Sequence, residues 1–170
     1  LAANNDPNNT VYIVDEASMV SDVYSNSEFL RFGSGRLLSD LITYSDIENN
    51  KSYRKIIFVG DLAQLPPVKM NFSPAISKKY INGNYLNKIS GFELRDVIRH
   101  QEDSKILEYA TMIREKIKSE NFNELIIDEA EDVKIISNDD VVKIFLENKK
   151  SNSSEESIII AYSNKTVLKY

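Results

Sequence analysis

The chain has 170 residues, enough for one ordinary domain or two small ones, and 42% of them are hydrophobic and can fill a core. It has no Cys, which excludes disulfides and thiolate metal sites and suits the reducing cytoplasm where we expect the protein to work; its single His argues against a His-based zinc centre. The net charge of −5 gives none of the basic excess that nucleic-acid binders usually show, and no apolar run approaches the roughly 20 residues of a membrane helix.

The first apolar run is short and rich in β-branched residues, and two acids follow it at once. Val11 to Val14 is typical of a strand buried on both faces of a parallel sheet, although a buried helix segment has the same pattern. Polar groups at the carboxyl ends of such strands face the crevice where these sheets bind ligands. Asp15 is therefore a candidate Mg²⁺ ligand, acting through water, and Glu16 a candidate base for an attacking water. The alternative is a solvated turn, or a helix N-terminus that favours acids.

The same local pattern occurs a second time. Residues 125–130 are Leu-Ile-Ile-Asp-Glu-Ala, so the acidic motif alone is not diagnostic. Only the first copy is followed by a further apolar run and a Gly-Asp-x-x-Gln loop. The context, and not the motif, favours the first copy as a site.

Two glycines flank Ser34 before a predicted helix from about Arg36 to Tyr44. Glycines near a helix start can form a phosphate cradle. We favour a turn in which Ser34 caps the helix, because no Lys follows the glycines.

The second apolar run, Ile56 to Val59, leads into the more specific motif. Gly60 permits a sharp turn, Asp61 can fix the loop by accepting backbone N–H bonds, and Gln64 offers an amide to a phosphate oxygen or a water. An ordinary Gly-Asp turn followed by prolines explains every part of this loop except Gln64. The two loops together predict the metal and γ-phosphate edge of a nucleotide-hydrolysing site.

The remaining elements alternate between helices and strands. We predict a short helix from Ser73-Pro74 to about Asn82, with a hinge near 82–87. The later predicted elements are a strand at 91–98, a helix at 104–119 with Ile106, Ala110, Ile113 and Ile117 on one face, a strand at 133–136, a helix at 139–149 with Asn138 as cap and Val141, Val142, Phe145 and Leu146 facing inward, and a strand at 158–162. Such alternation favours a parallel α/β fold.

These residues carry a resemblance to a known family. Residues 15–19 resemble the Walker B motif of superfamily 1 DNA helicases, and residues 60–68 resemble their motif III. The resemblance is to the RecD-like branch of these helicases, whose members are similar to the alpha subunit of exodeoxyribonuclease V. Residues 94–107 are similar to that family's motif IV, and Ala-Tyr-Ser-Asn at 161–164 to its Ala-Tyr-Thr-Asn segment. His100 stands where the family usually has Gln, and Ser163 where it has Thr.

The resemblance implies a fold and an activity. It implies a RecA-like (P-loop NTPase) helicase core, with residues 1–87 from the first RecA-like domain and residues 88–170 from the second. It implies ATP and Mg²⁺ as cofactors, 5′ to 3′ movement on single-stranded DNA, a role on single- or double-stranded DNA in repair or recombination, and nuclease or recombination subunits as candidate partners.

The resemblance also assigns residues. It makes Arg99 the arginine that reaches the γ-phosphate from the second domain; a surface Arg paired with Glu102 or Asp103 is the alternative. Ser163 and Asn164 are candidate ligands of a DNA phosphate, although simple helix capping explains them equally well.

One part of the family pattern is missing. No Gly is followed by Lys, so the Gly-x-x-x-x-Gly-Lys-[Ser/Thr] loop that cradles phosphates is absent from these residues. Because that loop precedes Walker B in the family, and because residue 1 is Leu, we expect an internal piece of a larger helicase that alone binds Mg-ATP weakly or not at all. Two alternatives stay open: a P-loop ATPase that does not act on DNA, and a non-catalytic module that binds DNA or a partner.

Overall fold

The structure is a computed structural model that describes residues 3–25, 33–48, 53–86, 88–95, 104–121, 125–151 and 157–169. The chain divides into two compact units, Leu1–Val97 and Ile98–Tyr170. The boundary that the sequence predicts, between residues 87 and 88, lies inside the first of them. Across the described ranges, every helix is too short or too polar to cross a bilayer.

The first unit contains a parallel pair of strands. Strand β1 (Val11–Val14) pairs with β2 (Lys55–Phe58), with Val11 opposite Lys55 and Val14 opposite Phe58. The two predicted strands and their parallel arrangement are therefore confirmed, and the chain is a mixed helix and strand protein. In the described part of the chain the sheet has two strands, and the larger RecA-like sheet stays a prediction.

Besides a 3₁₀ turn at Ala17–Met19, three helical segments follow or separate these strands. Helix α1 (Leu37–Ser45) lies between the strands, a 3₁₀ turn occupies Pro74–Ile76, and α2 (Lys78–Asn84) comes next. The single helix predicted after Ser73 is thus divided in two, because the Ser77 side chain accepts a hydrogen bond from the Tyr80 N–H and starts a new helix.

The start of α1 differs from the prediction. The residue that flanks its start is Arg36, which makes no side-chain capping bond, so the predicted capping position is wrong by two residues. The Ser34 hydroxyl nevertheless accepts the Arg36 N–H at 3.3 Å, and the Ser34 N–H donates to Oδ2 of Asp40 at 2.9 Å. The Asp40 carboxylate, from the first turn of α1, therefore lies in the Gly33-Ser34-Gly35 turn. This favours the interpretation of these residues as an ordinary turn and not as a phosphate cradle.

The core of the first unit lies on one face of the sheet. It contains the buried residues Ala17, Val20, Leu38, Ile42 and Ala75, with Val14 and Phe58 packed against them. On the other face Ile13 is 69% exposed and Ile57 is 47% exposed. The prediction that both faces of the strands are buried is therefore wrong for the described residues, because their helices pack against one face only.

Residues 3–10 have no regular structure, but hydrogen bonds tie them to the first unit. The buried Arg54 side chain donates from Nε to the Pro7 carbonyl at 3.3 Å and from Nη2 to the Asp6 carbonyl, and it pairs with Asp46 at 3.4 Å. The Tyr12 hydroxyl donates to Asp6 at 2.8 Å and its ring packs edge-on against Tyr44. These contacts close the amino-terminal end of the strands.

The second unit is helical in its described residues. It contains α3 (Lys105–Lys118), α4 (Val141–Ser151) and α5 (Asn164–Val167), which confirms the two long predicted helices. The strands predicted at 133–136 and 158–162 are wrong, and residues 91–95 of the first unit form no strand either. At the start of α4, the side chain that accepts the Asp140 N–H is Ser137 and not the predicted Asn138.

The two units differ in the burial of their side chains. No residue of the second unit whose side chain the structure describes is buried, and α3 leaves Ile106, Ile113 and Ile117 exposed. Val142 and Leu146 of α4 are exposed as well. The apolar faces predicted for α3 and α4 are present, but the described residues do not cover them.

Candidate active site

Two loops leave the strands at the same edge of the sheet. The acidic loop (residues 15–19) follows β1, and the glutamine loop (residues 60–68) follows β2. The Val59 N–H donates to the Val14 carbonyl at 2.9 Å, and the Ala17 N–H donates to the Val59 carbonyl at 2.8 Å. The pairing of the strands therefore continues into the loops and holds their first residues together.

Gly60 brings the two loops into backbone contact. A Cβ atom at this position would lie 2.8 Å from the Ser18 nitrogen and 3.4 Å from the Ala17 nitrogen. A separation of 2.8 Å from a backbone atom cannot be relieved by rotating a side chain. Glycine is thus required here by close approach, and the position of one loop fixes that of the other.

The acidic loop has an uncommon backbone conformation. Glu16 has φ 50° and ψ 34°, the left-handed region, which costs a residue other than glycine about 1–2 kcal/mol. Its N–H donates to Oδ1 of Asp15 at 2.9 Å, and both acids are exposed. Strain of this kind is often kept where a side chain has a function, and here it presents two adjacent carboxylates to solvent.

A buried 3₁₀ turn anchors the acids. It comprises Ala17–Met19, and its first two residues are completely buried. The Ser18 hydroxyl has no hydrogen-bond partner among the described residues. The turn is held by apolar packing and backbone bonds, and not by the Ser18 side chain.

The glutamine loop is fixed as the sequence predicts. Oδ1 of Asp61 accepts the Ala63 N–H at 2.9 Å, and the Asp61 carbonyl accepts the Gln64 N–H at 3.1 Å. This turn leaves the Gln64 side chain exposed, while Pro67 is buried beneath the loop. The Gln64 amide is therefore carried by a hydrogen-bonded turn and is open to a ligand.

The other predicted site residues lie either outside the described residues or in the second unit. Arg99 and His100 lie outside the described residues. Ser163 and Asn164 belong to the second unit, where the Ser163 hydroxyl accepts the Thr166 N–H at 3.2 Å and Asn164 begins α5. Helix capping accounts for Ser163, and its contact with DNA stays a prediction.

The second Asp-Glu-Ala copy has a different environment. The Asp128 N–H donates to the Tyr109 hydroxyl at 2.7 Å, and Oε1 of Glu129 accepts the Ile135 N–H at 3.0 Å. Asp128 and Glu129 lie in a loop beside α3 that follows no strand. The two copies share a sequence but not a position at a sheet edge.

Comparisons with protein-family models, with curated proteins and with solved structures find no match to this chain. The resemblance to RecD-like helicases therefore rests on the motifs quoted above.

Sequence reasoning missed one buried acid near the site. Asp22 is 6% exposed and accepts hydrogen bonds from the hydroxyls of Tyr80 at 2.6 Å and Tyr85 at 2.7 Å. The bond to Asp22 raises the pKa of Tyr80, and burial followed by the same carboxylate raises the pKa of Tyr85. No local pattern marks Asp22, because its partners lie 58 and 63 residues further along the chain.

Proposed function

We propose that this chain carries the metal and γ-phosphate edge of the ATP site of a RecD-like superfamily 1 DNA helicase or translocase. The observation that supports this most is the meeting of the acidic and glutamine loops at the carboxyl ends of adjacent parallel strands, with Gly60 against the Ser18 backbone. A RecA-like core with two domains that close over the nucleotide, and 5′ to 3′ movement on single-stranded DNA, are parts of the proposal.

Asp15 is the residue proposed to hold Mg²⁺. One of its carboxylate oxygens already accepts the Glu16 N–H, and the exposed side chain leaves the other for a metal-bound water. Mg²⁺ in phosphate-transfer sites is usually held by one or two carboxylates, water and phosphate oxygens, which is the arrangement proposed here. When bound, Mg²⁺ neutralises charge on the β- and γ-phosphates.

The other residues act on the nucleotide itself. Glu16 orients and polarises the attacking water. Its exposed carboxylate is next in sequence to Asp15, but the left-handed backbone of Glu16 points its side chain in a different direction. Gln64 senses the γ-phosphate through its amide, and Arg99 completes the site from the second RecA-like domain.

The same proposal covers the partners. Ser163 and Asn164 would bind a DNA phosphate, nuclease or recombination subunits would join the motor, and the work would take place on DNA in the cytoplasm. A P-loop ATPase acting on another substrate, or a non-catalytic binding module, remains an outcome of the test below.

The test uses a longer protein that holds this chain together with a phosphate-binding loop. We expect DNA-stimulated ATP hydrolysis that falls by about 10²–10⁴-fold in Glu16→Gln. The matched control is Glu129→Gln, in the second Asp-Glu-Ala copy, whose amide oxygen can still accept the Ile135 N–H and which should leave hydrolysis unchanged.

Each other result identifies a different error. Equal losses in both variants would remove the assignment of the first copy as the site. Hydrolysis that DNA does not stimulate would indicate an ATPase with another substrate, and the absence of hydrolysis in the unaltered protein would indicate a binding module. For the 170-residue chain alone, calorimetric titration with Mg-ATP should show weak binding or none, and no turnover.

A further inference from the structure

Asp22 is a buried carboxylate close in sequence to the acidic loop. Its Oδ2 accepts the Tyr80 hydroxyl at 2.6 Å, and both of its oxygens lie 2.7 Å from the Tyr85 hydroxyl. Within the described residues it forms no salt bridge. A buried carboxylate depends on its hydrogen bonds, so the two phenols help to hold Asp22 where it is.

The segment that carries Asp22 supports the acidic loop from behind. The Val20 side chain is buried in the core, and its N–H donates to the Ala17 carbonyl at 3.1 Å. The Ser21 carbonyl accepts the Leu38 N–H at 3.0 Å, which ties the same segment to α1. Residues 20–22 run directly on from the 3₁₀ turn, so only this short stretch of chain separates Asp22 from the turn behind the acids.

The other side of the contact is the carboxyl end of α2. Tyr80 lies within α2, and Tyr85 follows its last residue, with its N–H bonded to the Ile81 carbonyl at 2.9 Å. The hydroxyls of these residues therefore fix both the body and the end of α2 relative to residues 20–22.

We propose that Asp22 is a positioning residue that holds the acidic loop in place and couples its position to the end of α2. Release of the Tyr85 contact should loosen the 3₁₀ turn behind Asp15 and Glu16 without melting the strands. The functional meaning of this coupling rests on the proposed function, whereas the coupling itself is a property of the first unit and can be measured without any nucleotide.

The experiment is amide hydrogen exchange on the full chain with Tyr85→Phe. We expect exchange at least about fivefold faster at Met19 and Val20, whose N–H groups bond to Glu16 and Ala17, with no change at β2, because a lost hydrogen bond is worth about 1 kcal/mol. Tyr80→Phe is a second variant that keeps the Tyr85 bonds, and it should give the same pattern with a smaller amplitude.

Tyr12→Phe is the matched control, since it also deletes a hydroxyl bonded to an acid, but at the far end of the strands. It should speed exchange near Thr10 and leave Met19 and Val20 unchanged. The proposal is overturned if Tyr85→Phe leaves Met19 and Val20 unchanged, if it speeds β2 by the same factor, or if Tyr12→Phe produces the same pattern. None of these results bears on ATP hydrolysis, so this proposal and the proposed function can fail separately.

Discussion

At Gly60 the absence of one carbon atom decides how the site is built. The sequence predicts Gly60 as the residue that allows a sharp turn, and its φ is not in the left-handed region. What requires glycine is the approach of the Ser18 nitrogen to the space that a Cβ would fill. A contact of this kind joins residues that are distant along the chain, so the sequence could supply the glycine but not the reason for it.

Gly60→Ala tests this contact. We expect the substitution to lower the free energy of unfolding of the first unit by about 1–3 kcal/mol, because the two loops must move apart to accept the methyl group. Gly83→Ala is the control: it lies in α2 with no atom within 4 Å of the added Cβ, and should raise stability by about 0.5–1 kcal/mol. Urea unfolding of both variants measures the difference. Equal effects would mean that the loops do not touch at Gly60.

At the scale of elements, local patterns predicted the helices better than the strands. Helices α1, α3 and α4 are formed by hydrogen bonds within each segment, so their periodic apolar residues suffice to place them. The predictions of strands β1 and β2 are also confirmed, because each of these strands pairs with the other. Residues 133–136 have a similar composition but no paired strand, and local composition cannot supply one.

The candidate site divides in the same way. The motifs placed Asp15, Glu16 and Gln64 on loops that do meet at one edge, since the carboxyl ends of parallel neighbours always share an edge. They did not reveal Asp22 or the left-handed backbone of Glu16, because both depend on packing across the unit. The place of Arg99 relative to these loops stays a prediction.

The contact between α2 and residues 20–22 should weaken at alkaline pH. The Asp22 carboxylate raises the pKa of Tyr80, and burial together with Asp22 raises the pKa of Tyr85, while tyrosines in the unfolded chain titrate near pH 10. Above about pH 10 the unfolded state therefore binds fewer protons than the folded state, so the free energy of unfolding falls as pH rises.

Urea unfolding at several values between about pH 8 and about pH 11 measures this fall. In the double variant Tyr80→Phe/Tyr85→Phe the loss above about pH 10 should be smaller than in the unaltered chain, although Tyr12, whose pKa is also raised by burial, leaves part of it. An unchanged slope in the double variant would show that these two hydroxyls do not bear the alkaline sensitivity.

At the scale of the whole molecule, burial is concentrated in the first unit. Its core joins β1, β2, α1 and the turn at Pro74–Ile76, whereas the described side chains of the second unit include none that is buried. Most helical stability in proteins comes from packing of an apolar face and not from helix propensity. The two units should therefore differ in stability even though both contain well-formed helices.

A comparison of α1 with α3 tests this difference within one molecule. Helix α3 has 14 residues and α1 has nine, so length alone would protect the amides of α3 better. Because Leu38 and Ile42 of α1 are buried and no residue of α3 is, we expect α3 to exchange its amide hydrogens at least about tenfold faster than α1. Hydrogen exchange on the full chain measures both helices in the same sample. Equal protection would mean that in solution the exposed face of α3, with Ile106, Ile113 and Ile117, is covered.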